Sequence, residues 1–311
     1  MSPDPRIDRL KSNIEKIIAG KDETVKMAIV TLLAKGHLLI EDVPGVGKTT
    51  LAQSIARSTD CSFKRIQFTS DLLPSDILGV SVYDQNSHRF ELMPGPIFSN
   101  IILADEINRT TPKTQSALLE AMSEAKVSIE NRTIPLPQPF MVIATQNPIE
   151  YQGTFPLPES QLDRFMICLR MGYPSIHDEK KILRSRIFSH ALDHVVPVLS
   201  GQDILDLQRR AEEVTISDPV VDYILAIVEL SRNSELFDLG VSTRGTTFLF
   251  RAVQALAYVE GREFGTPDDV KRLVPLVFSH RVIVNSEKWS VHDRRENHPV
   301  MRLLNEVPVP L

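Results

Sequence analysis

The sequence predicts an α/β protein built on a parallel five-stranded sheet, followed by an all-helical domain. Three observations carry this expectation. Five short apolar runs (His37 to Glu41, Phe63 to Thr69, Ile101 to Ala104, Phe140 to Ala144 and Phe165 to Leu169) alternate with helical patterns such as Thr49 to Ser58 and Lys113 to Ala125. Strands that alternate with helices pair in parallel and are covered on both faces, so they read as continuous apolar stretches. After Pro174 the strand signals thin out, and the patterns from Asp178, Asp203, Ser217, Ser242 and Thr266 all read as helices. At 311 residues the chain exceeds one average domain, which suggests an α/β domain over 1–190 and a helical one over 191–311.

Each element has a local reason. Ile7, Leu10, Ile14, Ile17 and Ile18 recur at helical spacing, with Gly20 placed to end that helix. A second helix starts near Asp22, shows Val25, Ile29, Leu32 and Leu33 on one face, and closes at Gly36. Thr266-Pro267-Asp268-Asp269 offers an N-cap, a proline at the first helical position and acids in the first turn. Val80 to Asp84 and Arg89 to Leu92 flank a polar turn, as do Lys126 to Ile129 and Thr133 to Leu136, so both pairs read as hairpins.

Composition narrows the function classes. Hydrophobic residues at 42% and charged ones at 24% describe an ordinary globular chain rather than a disordered one. The 35 Lys+Arg against 40 Asp+Glu disfavour broad phosphate-backbone binding. Cys61 and Cys168 form no CxxC, so neither a disulfide framework nor a zinc ribbon is supported. The charged start carries no signal-peptide core and no stretch approaches eighteen apolar residues, so a soluble, cytoplasmic protein without membrane insertion is expected.

Parallel sheets bind ligands at the carboxyl ends of their strands, and three such ends are suggestive. The first strand runs into Asp42-Val43-Pro44-Gly45-Val46-Gly47-Lys48-Thr49-Thr50 and then a helix. Glycines let backbone N–H groups curl around phosphate oxygens, and a helix N-terminus adds partial positive charge. Lys48 would reach the β- and γ-phosphates, and the Thr49 hydroxyl would ligate Mg²⁺, although Asp42 stands where the general GxxxxGK[ST] loop has glycine. The third strand ends in Asp105-Glu106, adjacent acids that point differently. Asp105 would hold Mg²⁺ while Glu106 polarises the attacking water. The fourth ends in Gln146-Asn147-Pro148, which puts an amide beside the γ-phosphate or, alternatively, merely a turn.

Two arginines also stand out. Arg164 lies between a helical pattern and a strand, and Arg244 falls just inside a helix start. A cation there opposes the helix dipole by roughly 0.3–1 kcal/mol, which an anion nearby would explain. The alternative for each is a surface arginine paired to Asp163 or solvent.

Four stretches, RIQFTSDLLPSDILG, GPIFSNIILADEINRTTPKTQSALLEAM, PFMVIATQNPIEYQGTFPLPESQLDRF and GREFGTPDDVKRLV, resemble the MoxR group of AAA+ ATPases, and the likeness runs from about Ile18 to Val284. The resemblance implies a P-loop AAA+ core with a helical lid, ATP and Mg²⁺ as ligands, and a ring, in this group a hexamer. It implies Walker A at Gly45, Gly47, Lys48, Thr49 and Thr50, with Pro44 and Val46 in the same loop, and Walker B at Asp105 and Glu106. Asn147 is similar to sensor 1, Arg164 to the arginine finger acting on a neighbouring subunit's nucleotide, and Arg244 to sensor 2, although Thr243 replaces that motif's proline. Gly20 and the residues before it occupy the place where such proteins hold adenine, and Asp42 suits the MoxR form of the loop. The two hairpins resemble the helix-2 and pre-sensor-1 insertions, which face the ring's pore. The group's work, remodelling protein clients for maturation or metal insertion with a von Willebrand factor A-domain partner, is the implied function.

Other readings compete. A nucleic-acid motor would use His88, Arg89, Lys126 and Arg132 on the hairpins, a thin basic set on an acidic chain. A nucleotide-gated scaffold is disfavoured by Glu106 and Arg164, and a small-molecule kinase by the absence of an acceptor site. His190 and His194 have zinc-ligand spacing but lack the HExxH glutamate, Ala191 standing in its place. No Asn-Lys dipeptide occurs, which favours ATP over GTP.

Overall fold

The computed structural model describes residues 4–18, 20–86, 88–129, 132–147, 154–184, 192, 195–285, 287–288 and 299–310. Helix α1 spans Pro5–Glu15, where the Asp4 carboxylate accepts the Arg6 N–H and Ile7, Leu10 and Ile14 are buried. It stops short of the expected Gly20, because the chain turns through Lys16–Ile18 on bonds back to Ser12 and Ile14. Helix α2, Asp22–Leu33, is buried on almost every side rather than on one face, and it ends before Gly36. The sheet lies against one side of it and lid helices against the other, with the Gln208 amide donating to the Leu32 carbonyl at 2.8 Å.

The chain then lays down β1 (Leu38–Glu41), α3 (Lys48–Ser58), β2 (Phe63–Gln67), α4 (Pro74–Leu78) and the hairpin β3 (Gly79–Asp84) and β4 (Arg89–Pro94). Next come β5 (Ile101–Asp105), a 3₁₀ turn at Ile107–Arg109, α5 (Pro112–Glu124) and the hairpin β6 (Lys126–Ile129) and β7 (Arg132–Pro135). Strand β8 (Met141–Gln146), α6 (Glu159–Leu162), β9 (Ile167–Leu169) and α7 (Ile176–Arg184) follow. The lid holds α8 (Gly201–Glu212), α9 (Asp218–Asn233), β10 (Phe237–Leu239), α10 (Thr243–Val259), α11 (Pro267–Phe278), β11 (Ile283–Val284) and α12 (Pro299–Glu306). The short antiparallel pair β10–β11 is an addition to the sequence reading, since two or three residues carry no periodicity, and helix α12 is another.

The five expected strands form one parallel sheet in the order β2-β5-β8-β1-β9. Its inner strands are apolar up to their carboxyl ends because both faces are covered: Leu38 and Ile40 join the cluster under α1, α2, α3 and the lid, while Leu39 joins Phe68, Leu118 and Phe165 on the other face. This order puts β8 between the strand that feeds the glycine loop and the strand that ends in two acids. The domain division expected near residue 190 falls outside the described residues, and the apolar cluster of α2 continues without a break into α8, α10 and α11.

Candidate active site

The glycine loop leaves β1 with the Asp42 N–H still bonded to the Gln146 carbonyl at 3.1 Å. Gly45 and Gly47 sit at φ 86° and 96°, a region other residues rarely adopt, and Gly47 caps α3. A Cβ at Gly45 would meet nothing within 4 Å, and one at Gly47 only the Met171 Cε at 3.8 Å, so the space beside both glycines is open and suits the close approach of a phosphate to their backbone. Lys48 Nζ donates to the Asp42 carbonyl at 2.7 Å across the loop, and Thr49 and Thr50 follow in the first turn of α3. Asp42, the departure from the general loop, is buried, and its carboxylate accepts the N–H groups of Val43 at 2.8 Å and Gly172 at 2.6 Å. It ties the loop to the segment after β9, which a glycine could not do.

That segment also meets Gly20. A Cβ there would overlap the Asp178 carboxylate, and the Lys21 ammonium donates to the carbonyls of Met171 and Tyr173 at 2.6 and 2.8 Å. Gly20 thus packs against the segment 171–178, on which Tyr173 and Ile176 are exposed.

The acids sit as their strand predicts, within a hydrogen-bond network the sequence reading missed. Asp105 is buried: its Oδ1 accepts the Thr145 hydroxyl at 2.6 Å and its Oδ2 accepts Arg65 at 2.6 Å. Glu106 holds φ 58°, a left-handed conformation that costs roughly 1–3 kcal/mol for a residue with a side chain. Its N–H donates to Thr145 Oγ at 2.9 Å, and its Oε2 accepts the Gln67 amide at 2.9 Å. Arg65 also donates to Gln67 Oε1 at 2.8 Å, so the β2 side chains reach both acids. Asn147 lies buried one residue beyond β8, beside this network, while Pro148 to Gly153 lie outside the described residues. The available signal for Thr145 was a hydroxyl inside an otherwise apolar run.

Arg164 and Arg244 lie elsewhere. Arg164 precedes β9, where the Met166 N–H bonds to the His37 carbonyl at 2.8 Å, so it sits at the amino ends of the strands. The length of β1, about 13 Å, separates that end from the glycine loop. Its guanidinium donates to the Leu119 carbonyl and to Ser123 Oγ at 2.7 Å on α5. Arg244 pairs with Asp163 at 3.4 Å. Asp163 also accepts Ser242 Oγ at 2.8 Å and Arg281 Nε at 3.0 Å, joining the lid to the sheet. Arg281 is buried, stacks over Phe248 and reaches the carbonyls of Met166, Phe165 and Val277; burial, opposed by Asp163, lowers its pKa to about 10.

Residues 37–167 match the ATPase family associated with various cellular activities (AAA), and residues 229–300 match the AAA lid domain. The chain is 48% identical to the uncharacterized protein YeaC of Bacillus subtilis, over 91% of this chain and 88% of that one. It is 41% identical to the chaperone MoxR1 of Mycobacterium tuberculosis, over 89% and 76%. The chain belongs to the MoxR group of AAA+ ATPases. A crystal structure of an ATPase candidate from Cytophaga hutchinsonii, 35% identical, superposes on this MoxR-group chain with a TM-score of 0.89, covering 99% of this chain and 96% of that one. As an AAA+ ATPase it binds nucleotide and hydrolyses ATP, and proteins of this family assemble into rings. Among the described residues no helix is long and apolar enough to cross a membrane, and no cluster of three metal-ligating side chains occurs. His190 and His194 lie outside those residues.

Proposed function

We propose that this ATPase works in the cytoplasm as a hexameric ring that remodels protein clients, with a von Willebrand factor A-domain partner, during maturation or metal insertion of protein complexes. The separation of Arg164 and Arg244 from Lys48, Asp105 and Glu106 by the length of the sheet carries this reading. A cation that must meet the transferred phosphoryl group then comes from an adjacent copy, which a closed ring supplies at every interface.

In each protomer the loop from Pro44 through Val46 to Thr50 cradles the phosphates, and Gly20 borders the adenine. Thr49 and Asp105 would hold Mg²⁺, which when bound neutralises phosphate oxygens. Glu106 accepts the proton of the attacking water, Asn147 orients that water, and the neighbouring protomer's Arg164, held by Leu119 and Ser123, meets the developing charge together with Arg244 from the lid. The exposed Val80, Val82, Tyr83, Phe90 and Met93 of the β3–β4 hairpin favour a protein client over nucleic acid. On the second hairpin Lys126 already pairs with Glu124 at 3.1 Å, which leaves little basic charge for a phosphate backbone.

The test is complementation. Arg164→Ala and Glu106→Gln should each bind ATP and turn over slowly. An equal mixture should recover activity at about a quarter of its interfaces, those pairing an intact Glu106 with an intact Arg164. A mixture as inactive as its parts, or an Arg164→Ala protein that hydrolyses normally, overturns the ring reading. Protein captured by Glu106→Gln with ATP supports the client assignment, and DNA or RNA captured in its place overturns it.

A further inference from the structure

We propose that Thr145 is a positioning residue for hydrolysis, whose single hydroxyl sets both strand-end acids at once. A hydroxyl has one proton to give and lone pairs to receive with, and here both capacities are used in opposite directions. Thr145 Oγ donates to Asp105 Oδ1 at 2.6 Å and accepts the Glu106 N–H at 2.9 Å. The side chain is fully buried in β8, the strand between the one that carries the acids and the one that feeds the glycine loop. Water therefore has no access to replace either bond.

The two bonds have unequal importance. Asp105 has a second anchor, because Arg65 reaches its Oδ2 at 2.6 Å through NH2 and 3.1 Å through Nε. The Glu106 backbone has a harder task, since it must hold φ 58° directly after the last residue of β5. A bond from its N–H to a hydroxyl on the neighbouring strand resists relaxation of that turn into the extended region, and so fixes where the carboxylate is aimed. Gln67 and Arg109 touch the carboxylate from the side-chain end, at 2.9 and 3.4 Å, and Thr145 holds the backbone end. Removal of the hydroxyl should thus misdirect Glu106 while leaving the loop, Lys48 and nucleotide binding intact.

This inference rests on Glu106 being the group that polarises water, and the experiment separates the two claims. Thr145→Val keeps the shape and removes the hydroxyl; Thr145→Ser keeps the hydroxyl and leaves a small cavity. Steady-state ATPase, ATP affinity and melting temperature are measured for both, alone and with Glu106→Gln. Expected is a roughly 10–100-fold fall in kcat for Thr145→Val with ATP affinity within about threefold, because a small misplacement of a reacting group is costly. Thr145→Ser should stay within a few-fold of the parent even if it melts lower, and Thr145→Val should add little in the Glu106→Gln background. Activity that tracks melting temperature across both variants overturns the proposal in favour of a purely structural hydroxyl. Parental kcat in Thr145→Val beside an inactive Glu106→Gln overturns it while leaving the role of Glu106 standing. A fully active Glu106→Gln removes the role of Glu106 and the proposal with it.

Discussion

His37 offers a pH-dependent test of how α5 is fastened to the sheet. It is buried, and Val142 N–H donates to its Nδ1 at 3.0 Å while its Nε2 faces the Met122 carbonyl at 3.0 Å. Nδ1 must accept, so the proton resides on Nε2 and the ring is neutral. A second proton would face an N–H donor. Burial lowers the pKa of His37 from 6.5 to about 4, opposed by the Met122 carbonyl and reinforced by the charge of Arg251. Between those values the unfolded chain takes up a proton that the folded one refuses, so stability falls as pH falls. From pH 7 to pH 5 the loss through this one residue is about 2 kcal/mol. The assay is urea unfolding at both pH values for the parent and for His37→Gln, which cannot titrate. The buried His280 and the paired carboxylates remain in both proteins, so the difference between them isolates His37. The variant should start less stable at pH 7, by about 1–3 kcal/mol for the orphaned Val142 N–H, and should then lose about 2 kcal/mol less than the parent on acidification. Equal losses in the two proteins would refute the reasoning. Met122 lies on the helix that also holds Arg164, so the same bond steadies that arginine's support.

Two more expectations follow from single contacts. Arg281→Ala removes the buried cation between lid and sheet and should destabilise the fold by about 3–5 kcal/mol in thermal unfolding; an unchanged transition would contradict the contacts with Asp163 and Phe248. Gly47→Ala places a side chain at φ 96° with no neighbour closer than 3.8 Å. Its stability cost should be limited to about 1–2 kcal/mol of backbone strain, while calorimetry should find ATP affinity reduced at least tenfold, and unchanged affinity would argue against the cradle.

Much of the candidate site was legible because its chemistry is written into short runs. Lys48 and Thr49 follow glycines, and Asp105 and Glu106 end an apolar strand; each pattern depends on neighbours a few residues away. Asp163 was legible only as one option for Arg244, and the two lie 3.4 Å apart. Thr145, Arg65, Gln67 and Arg281 were not legible in role, because each acts on a residue that only strand pairing or lid packing brings near. Helix α2 shows the same limit: its periodicity marked one apolar face, but covering the other required the lid, whose arrival no local pattern encodes.

By itself, then, the amino-acid order determined the alternation of strands and helices, the glycine loop and the acids, since backbone preference and apolar period act over single turns. Tertiary structure decided which strand lies between which, that one threonine serves two acids, and that Arg164 and Arg244 sit a strand's length from Lys48. The physical reason is that sheet order and lid docking are settled by contacts between segments far apart in the chain. Those contacts depend on how buried surfaces fit together, which no short stretch specifies alone.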